Sequence, residues 1–339
     1  APERLRLVTP GGIPVEVEPR CCDLENGTAR CAVAKDGGDD TDVTHGRLIF
    51  ASVTRTDAGV TIDGGEGVGR VTKPGLDQPV GAAAINRAPR RMIAAAVEEV
   101  CAATGYGGGL SVVISVPDGA ELARKTFNPM LGIEGGISIL GTSGIVEPMS
   151  ERAIVDTIAV EEHQAAVSGA RHLLLTPGNY GLDFLRAAGL DDQGIPCVKY
   201  SNFVGDALDI AVTEGFQSVL LVGHIGKLVK VAGGVMNTHS KWADCRRELF
   251  CAHAALCGGD RALCERLMDA VTTDGCVAAL DGAGLREAVL KSLLAAIQTH
   301  LERRTAGALQ VGAVVFSNEY GPLGQTVTVE EIMRQWRQA

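Results

Sequence analysis

The sequence predicts a chain of α/β and α+β character in two parts. An N-terminal α+β domain over residues 1–130 is followed by a Rossmann-like, mostly parallel α/β domain over residues 131–339. Three observations predict this. The chain has 339 residues, enough for two separate cores. Its first part sets short β-rich runs between glycine-punctuated polar loops. From about Gly135 onward, apolar strand-like runs and helical patterns alternate, as they do where crossover helices join parallel strands.

The elements follow in order. PVEVE (14–18) alternates, while RLIFASVT (47–54) and residues 58–62 are β-rich. Two polar loops, KDGGDDTDVTHG (35–46) and DGGEGVGRVTKPGL (63–76), punctuate them. Pro89 opens a helix that sets Met92, Ile93, Ala96, Val97 and Val100 on one face, and the glycines at 105–109 end it. LSVVISVP (110–117) is a further strand, and the change of pattern near 128–135 marks the domain boundary. ISIL (137–140) is expected to open the parallel sheet, followed by GTSG and a helix over 150–168. HLLLTPG (172–178), CVKYSN (197–202) and VLLVGH (219–224) are each followed by a helical pattern. The chain is then helical to about 304, returns as a strand at 309–316, and closes with a helix at 329–338. Strand order is not legible from one sequence.

Composition narrows the function classes. The net charge of −10 argues against nucleic acid and anionic membranes as partners, since both need basic footprints. No apolar run approaches a membrane span. The ten cysteines lack a CxxC pair or zinc-finger spacing, so no metal site is expected and they read as reduced thiols of a cytoplasmic protein.

The candidate chemistry clusters in SVLLVGHIGKLVKVAGGVMNTHSKW (218–242). Functional groups just past a buried strand stand where open α/β sheets place ligands. His224 and His239 are candidate proton carriers or hydrogen-bond donors, and Lys227 and Lys230 are candidate cations. GHIGK (223–227) resembles part of a phosphate loop. Leu228 follows the lysine where a Ser or Thr would hold magnesium, which disfavours an ATPase. Gly141, Thr142, Ser143 and Gly144 form a glycine-hydroxyl turn after ISIL, a tight βα turn or a ligand cradle. The aspartates of 35–46, Asp36 and Asp40 among them, lack the spacing of a calcium loop. Arg70, Lys73 and Arg90 are cations able to collect carboxylates, though solvated surface charge explains any single one of them.

Seven runs together closely resemble the cobalt-precorrin-5B C-1-methyltransferases, the CbiD family of anaerobic cobalamin (vitamin B12) biosynthesis. They are CAVAKDGGDDTDVTHG (31–46), GGEGVGRVTKPGL (64–76), AINRAPRRMI (84–93), KTFNPMLGIEGGISILGTSGIVEPMSERA (125–153), SNFVGDALDIAVTEG (201–215), VLLVGHIGKLVKVAGGVMNTHSKWADCR (219–246) and FSNEYGPLG (316–324). The resemblance implies methyl transfer from S-adenosylmethionine to C-1 of a cobalt corrinoid, giving cobalt-precorrin-6A, with cobalt arriving only inside the substrate. The family's Thr-Thr-Gly-x-Cys-Ala opening segment is not among these residues; CAVAK (31–35) belongs to the later aspartate-loop motif.

On that reading, the donor is expected at the strand ends: Gly141, Thr142, Ser143 and Gly144, then Gly178 and Asn179, then Ser201 and Asn202, and Gly223. Arg70, Lys73, Arg90, Lys227 and Lys230 are the candidates for the substrate's acidic arms. His224, His239, Asp36 and Asp40 are the candidates for a base. The expected geometry is a cleft between two lobes. Homo-oligomerisation and contact with other enzymes of the pathway stay open. The competing readings are a non-catalytic corrinoid carrier of the same pathway and a nucleotide-dependent enzyme built on GHIGK.

Overall fold

A computed structural model describes residues 3–38, 42–141, 144, 151–187 and 194–337. The chain divides into two compact units, Ala1–Ser150 and Glu151–Ala339.

The first unit holds a hairpin of β1 (Leu5–Val8) and β2 (Pro14–Val17), then β3 (Arg20–Glu25), β4 (Thr28–Ala34), β5 (Leu48–Thr56), β6 (Val60–Gly64) and β7 (Arg70–Val71). Helix α1 (Arg87–Thr104), β8 (Gly109–Ser115), α2 (Gly119–Ala123) and β9 (Ile133–Glu134) complete it. Its main sheet runs β3-β4-β5-β8-β6 and is antiparallel except for the β6/β8 pair, which α1 joins as a crossover. Asn26 and Gly27 make the tight β3–β4 turn with φ of 48° and 79°, the left-handed pair that a two-residue hairpin loop requires. Ile93 and Val97 of α1 pack on the core, whereas Val100, expected on the same face, is 59% exposed.

The glycines of the 64–76 run serve close backbone packing. A Cβ on Gly67 would fall 1.8 Å from the Val116 carbonyl oxygen, and one on Gly136 would fall 2.3 Å from Gly67 backbone. The ISIL segment stays in this unit. Ile137 bridges to Val68 and Ile139 to Ile85. Residues 137–140 therefore do not open the parallel sheet, and the division of the chain falls after Ser150 instead of near 130.

The second unit starts with α3 (Glu151–Val167), then β10 (His172–Thr176), α4 (Asn179–Ala187), β11 (Cys197–Lys199), α5 (Val204–Thr213) and β12 (Ser218–His224). A short turn of helix, α6 (Ile225–Leu228), runs into a 3-10 turn (Val229–Gly233). Then come α7 (Arg246–Leu256), α8 (Arg261–Asp269), α9 (Thr273–Gly282), α10 (Arg286–Thr305), β13 (Gln310–Ser317), β14 (Gly321–Gln325) and α11 (Val329–Trp336). The sheet order is β11-β10-β12-β13-β14, parallel except for β14. The 2-1-3-4-5 order is one of the two common in doubly wound sheets, here with its last strand reversed.

Both faces of β10, β12 and β13 are covered, so the middles of these strands are apolar and their side chains alternate between two cores. Leu173, Leu175, Val219 and Leu221 face Ile158, Val204, Leu208 and the α10 residues Leu293 and Ile297. Leu174, Leu220, Val222 and Phe316 face Phe184 and the α11 residues Ile332, Met333 and Trp336. The indole of Trp336 donates to Ser218 Oγ at 2.7 Å, which ties α11 to the start of β12.

Candidate active site

The carboxyl ends of β10, β12 and β13 open on one cavity of about 640 Å³. It lies where doubly wound sheets bind ligands, beside the β10/β12 pair at which the strand order reverses. Gly178, Asn202, His224, Lys227, Lys230 and His239 all line it. Residues far apart in sequence thus converge because strand ends and loops of one sheet share one edge.

Two glycines shape the wall. Nothing stands within 4 Å of where a Cβ on Gly178 would lie, so the backbone there faces open space. A Cβ on Gly226 would sit 3.1 Å from His224 Nδ1 and 3.5 Å from Thr273 Oγ1. Gly223 faces Leu228 and Pro177 and lets α6 pack under the strand end. Asn179 and Ser201 flank the cavity: Asn179 accepts from Lys199 Nζ at 2.8 Å, and Ser201 is left-handed with φ of 55°. GHIGK forms a strand end and one helical turn.

The imidazole of His224 caps that turn, its Nδ1 accepting from the Gly226 N–H at 3.0 Å. The neutral ring therefore carries its proton on Nε2 and is a donor. Burial holds its pKa below the usual imidazole value, against the opposing pull of the Asp274 carboxylate. In His239, Nδ1 accepts from the Lys241 N–H at 3.0 Å, which assigns the same tautomer to its neutral form.

Lys230 is 1% exposed. Its Nζ donates to the Thr238 carbonyl at 3.0 Å, Ser240 Oγ at 3.2 Å and the Ala243 carbonyl at 2.9 Å. An ammonium has three N–H donors, so all are taken by the 238–243 loop. Lys227 is half-buried and donates to the Ser201 carbonyl at 3.1 Å. Burial, then the charge of Lys230, lowers its pKa. Thr238 Oγ1 is buried without a partner among the described residues, while the Thr238 N–H donates to the Asn202 carbonyl at 2.9 Å. The lining thus offers a ligand open glycine backbone at Gly178, an imidazole N–H at His224 and a half-buried cation at Lys227.

Comparison with known proteins agrees with the residue pattern. The CbiD family model matches residues 1–148, and the model of the CbiD C-terminal domain matches residues 237–327. A protein of Ruminiclostridium cellulolyticum is 48% identical over 91% of this chain and 80% of its own length. One of Alkaliphilus metalliredigens is 44% identical over 93% and 82%, and one of Citrobacter koseri 40% identical over 98% and 87%. All three are named cobalt-precorrin-5B C(1)-methyltransferase. The chain belongs to the CbiD family.

The C-terminal CbiD match includes cavity residues that sequence reasoning missed: Arg246, Thr273 and Asp274. Arg246 holds Asp244 through two bonds of 2.6 and 2.7 Å. Asp274 lies in the first turn of α9, where Thr272 caps the helix by accepting from the Gly275 N–H at 3.0 Å. The Thr-Thr-Asp-Gly run was the available signal, a helix N-cap pattern.

The other expected residues belong to the first CbiD unit. Arg70 binds Asp63 at 2.8 and 3.0 Å and the Gly64 carbonyl at 2.8 Å. Arg90 donates to the carbonyls of Ile85, Ile62 and Ala83 at 2.8, 2.7 and 3.3 Å, holding the turn before α1. Lys73 is exposed and donates to the Met130 carbonyl at 3.2 Å. Asp36 is exposed and accepts from the Gly38 N–H at 2.9 Å, an Asx turn. Gly144 packs on Thr9 and Pro10. Gly141 and Gly144 thus follow a segment of the first unit, and the architectural reason for placing the donor there does not apply. Thr142, Ser143 and Asp40 lie outside the described residues.

Proposed function

We propose that this chain is an S-adenosylmethionine-dependent C-methyltransferase that methylates C-1 of cobalt-precorrin-5B, giving cobalt-precorrin-6A in anaerobic cobalamin biosynthesis. The observation that carries this is identity of 40–48% to proteins of that name over more than nine-tenths of the chain. The cavity at the β10/β12 strand ends supports the donor half of the reading.

When bound, the donor supplies a sulfonium methyl ready for in-line displacement. The protein's task is then approach, orientation and exclusion of water, because holding two reactants in line supplies much of the barrier reduction. Gly178 admits the ligand close to backbone. His224, neutral and capped at Nδ1, offers Nε2–H to a ligand acceptor. Asn202 borders the same space, and Lys230 holds the loop that carries Thr238 and His239. Of the three first-unit cations expected to meet acidic arms, Arg70 and Arg90 hold the unit's own turns and Lys73 is exposed.

The test is to incubate the full chain with cobalt-precorrin-5B and methyl-labelled S-adenosylmethionine. Label appearing in the corrinoid, with S-adenosylhomocysteine formed in equal amount, is the expected result. Corrinoid binding without donor affinity or label transfer would contradict the enzyme and favour a carrier.

A further inference from the structure

Lys227 carries a charge that its surroundings leave uncompensated. It stands on the cavity wall in α6, and its one hydrogen bond goes to the Ser201 carbonyl. Two N–H donors remain for the cavity. Among the described residues no carboxylate pairs with it, and the charge that acts on it is another cation, Lys230. A half-buried ammonium beside a second ammonium is relieved by an anion.

The same cavity also presents one carboxylate, Asp274. The position of this carboxylate is fixed from behind. Ser317 Oγ accepts from the backbone N–H groups of Glu319 and Tyr320 at 3.0 and 3.2 Å, so its own proton goes to Asp274 Oδ1 at 2.6 Å. That leaves Oδ2 without a partner among the described residues. One wall thus carries an unpaired cation and another a half-satisfied anion. A purely anionic arm would satisfy Lys227 and be repelled by Asp274. A ligand that carries both a carboxylate and an ammonium offers a partner to each.

We infer that Lys227 and Asp274 clamp the amino-acid end of the methyl donor, Lys227 taking its carboxylate and Asp274 its ammonium. The inference rests on the donor reading above and assigns the orientation of the donor within it. The adenosine end then points away from α6 and α9, toward the Gly178 side of the cavity.

The experiment compares two ligands by calorimetry on the full chain. S-adenosylhomocysteine has the amino-acid end; 5′-methylthioadenosine has the same adenosine and thioether without it. Lys227→Met is expected to weaken S-adenosylhomocysteine about tenfold or more, the loss of a charge-assisted hydrogen bond. It is expected to leave 5′-methylthioadenosine within about twofold, while Lys227→Arg recovers part of the loss. Asp274→Asn is expected to show the same selectivity. Equal weakening of both ligands, or no weakening of either, overturns the clamp while leaving the donor reading standing. Failure of the wild-type chain to bind S-adenosylhomocysteine at all overturns the donor reading and the clamp with it. Thermal melts of each variant confirm that a lost affinity comes from a folded protein.

Discussion

The ammonium nitrogen of Lys230 donates to the carbonyl oxygen of Thr238 at 3.0 Å, and two further acceptors from the same loop complete its coordination. One buried side chain thus sets the course of residues 238–243, which bring Thr238 and His239 to the cavity wall.

Replacing Lys230 by Met keeps the aliphatic stem and removes the three bonds. Two carbonyls and a hydroxyl lose their donor, a loss of about 2–4 kcal/mol. Urea denaturation should show that loss, with weaker S-adenosylhomocysteine binding in the folded variant. Wild-type stability with wild-type affinity would contradict the strut role.

His224 gives a pH prediction. Its folded pKa lies below the ordinary 6.5, so the capped arrangement contributes stability that is fully present above 6.5 and is lost as pH falls through the lower folded value. Protonation at Nδ1 would also break the bond from the Gly226 N–H. His224→Gln cannot titrate. Its melting temperature should therefore fall less on acidification than that of the wild type; parallel falls would contradict the assignment.

Glu162 of α3 is wholly buried, and neither carboxyl oxygen has a partner among the described residues. Burial, reinforced by Glu214 and Glu161, pushes its pKa up to about 9 from 4.5. A raised carboxyl pKa means stability that is complete below 4.5 and lost progressively as pH rises toward 9. Near neutrality the cost is about 3 kcal/mol. Glu162→Gln should flatten the fall in stability between pH 5 and 9, measured by denaturant titration at several pH values. An unchanged slope would show that the carboxyl is solvated or paired.

In the glycine-rich 64–76 run, Gly67→Ala would force a Cβ to 1.8 Å from the Val116 carbonyl at a φ of 70°. Backbone must move on both sides, so the variant should lose more than about 4 kcal/mol or fail to fold its first unit. Near-native stability by circular dichroism melts would mean that the crossing is looser than described.

The strands buried on both faces were legible because continuous apolar runs such as Leu173–Leu175 and Val219–Val222 admit few other readings. β14 was not: Gly321, Pro322 and Gly324 carry no strand signal, and the segment is a strand because β13 offers it an edge. The Asn26-Gly27 pair carries its hairpin signal in the sequence itself, since both residues tolerate the left-handed φ the turn needs. ISIL was misplaced because periodicity identifies a strand but not its partner. For the site, the 218–242 run announced its own cavity residues. Asp274 and Arg246 did not stand out, since an N-cap motif and an Arg–Asp pair are common on any surface and only the fold carries them to the strand ends.

The central claim is that the methyl donor binds at the carboxyl ends of the second unit's sheet. A crystal structure of the chain with S-adenosylhomocysteine tests it most directly. Ligand density among Gly178, Asn202, His224 and Lys227, with the amino-acid end toward Lys227, is the predicted result. Density lodged instead against Gly141 and Gly144, or anywhere outside that cavity, would contradict it.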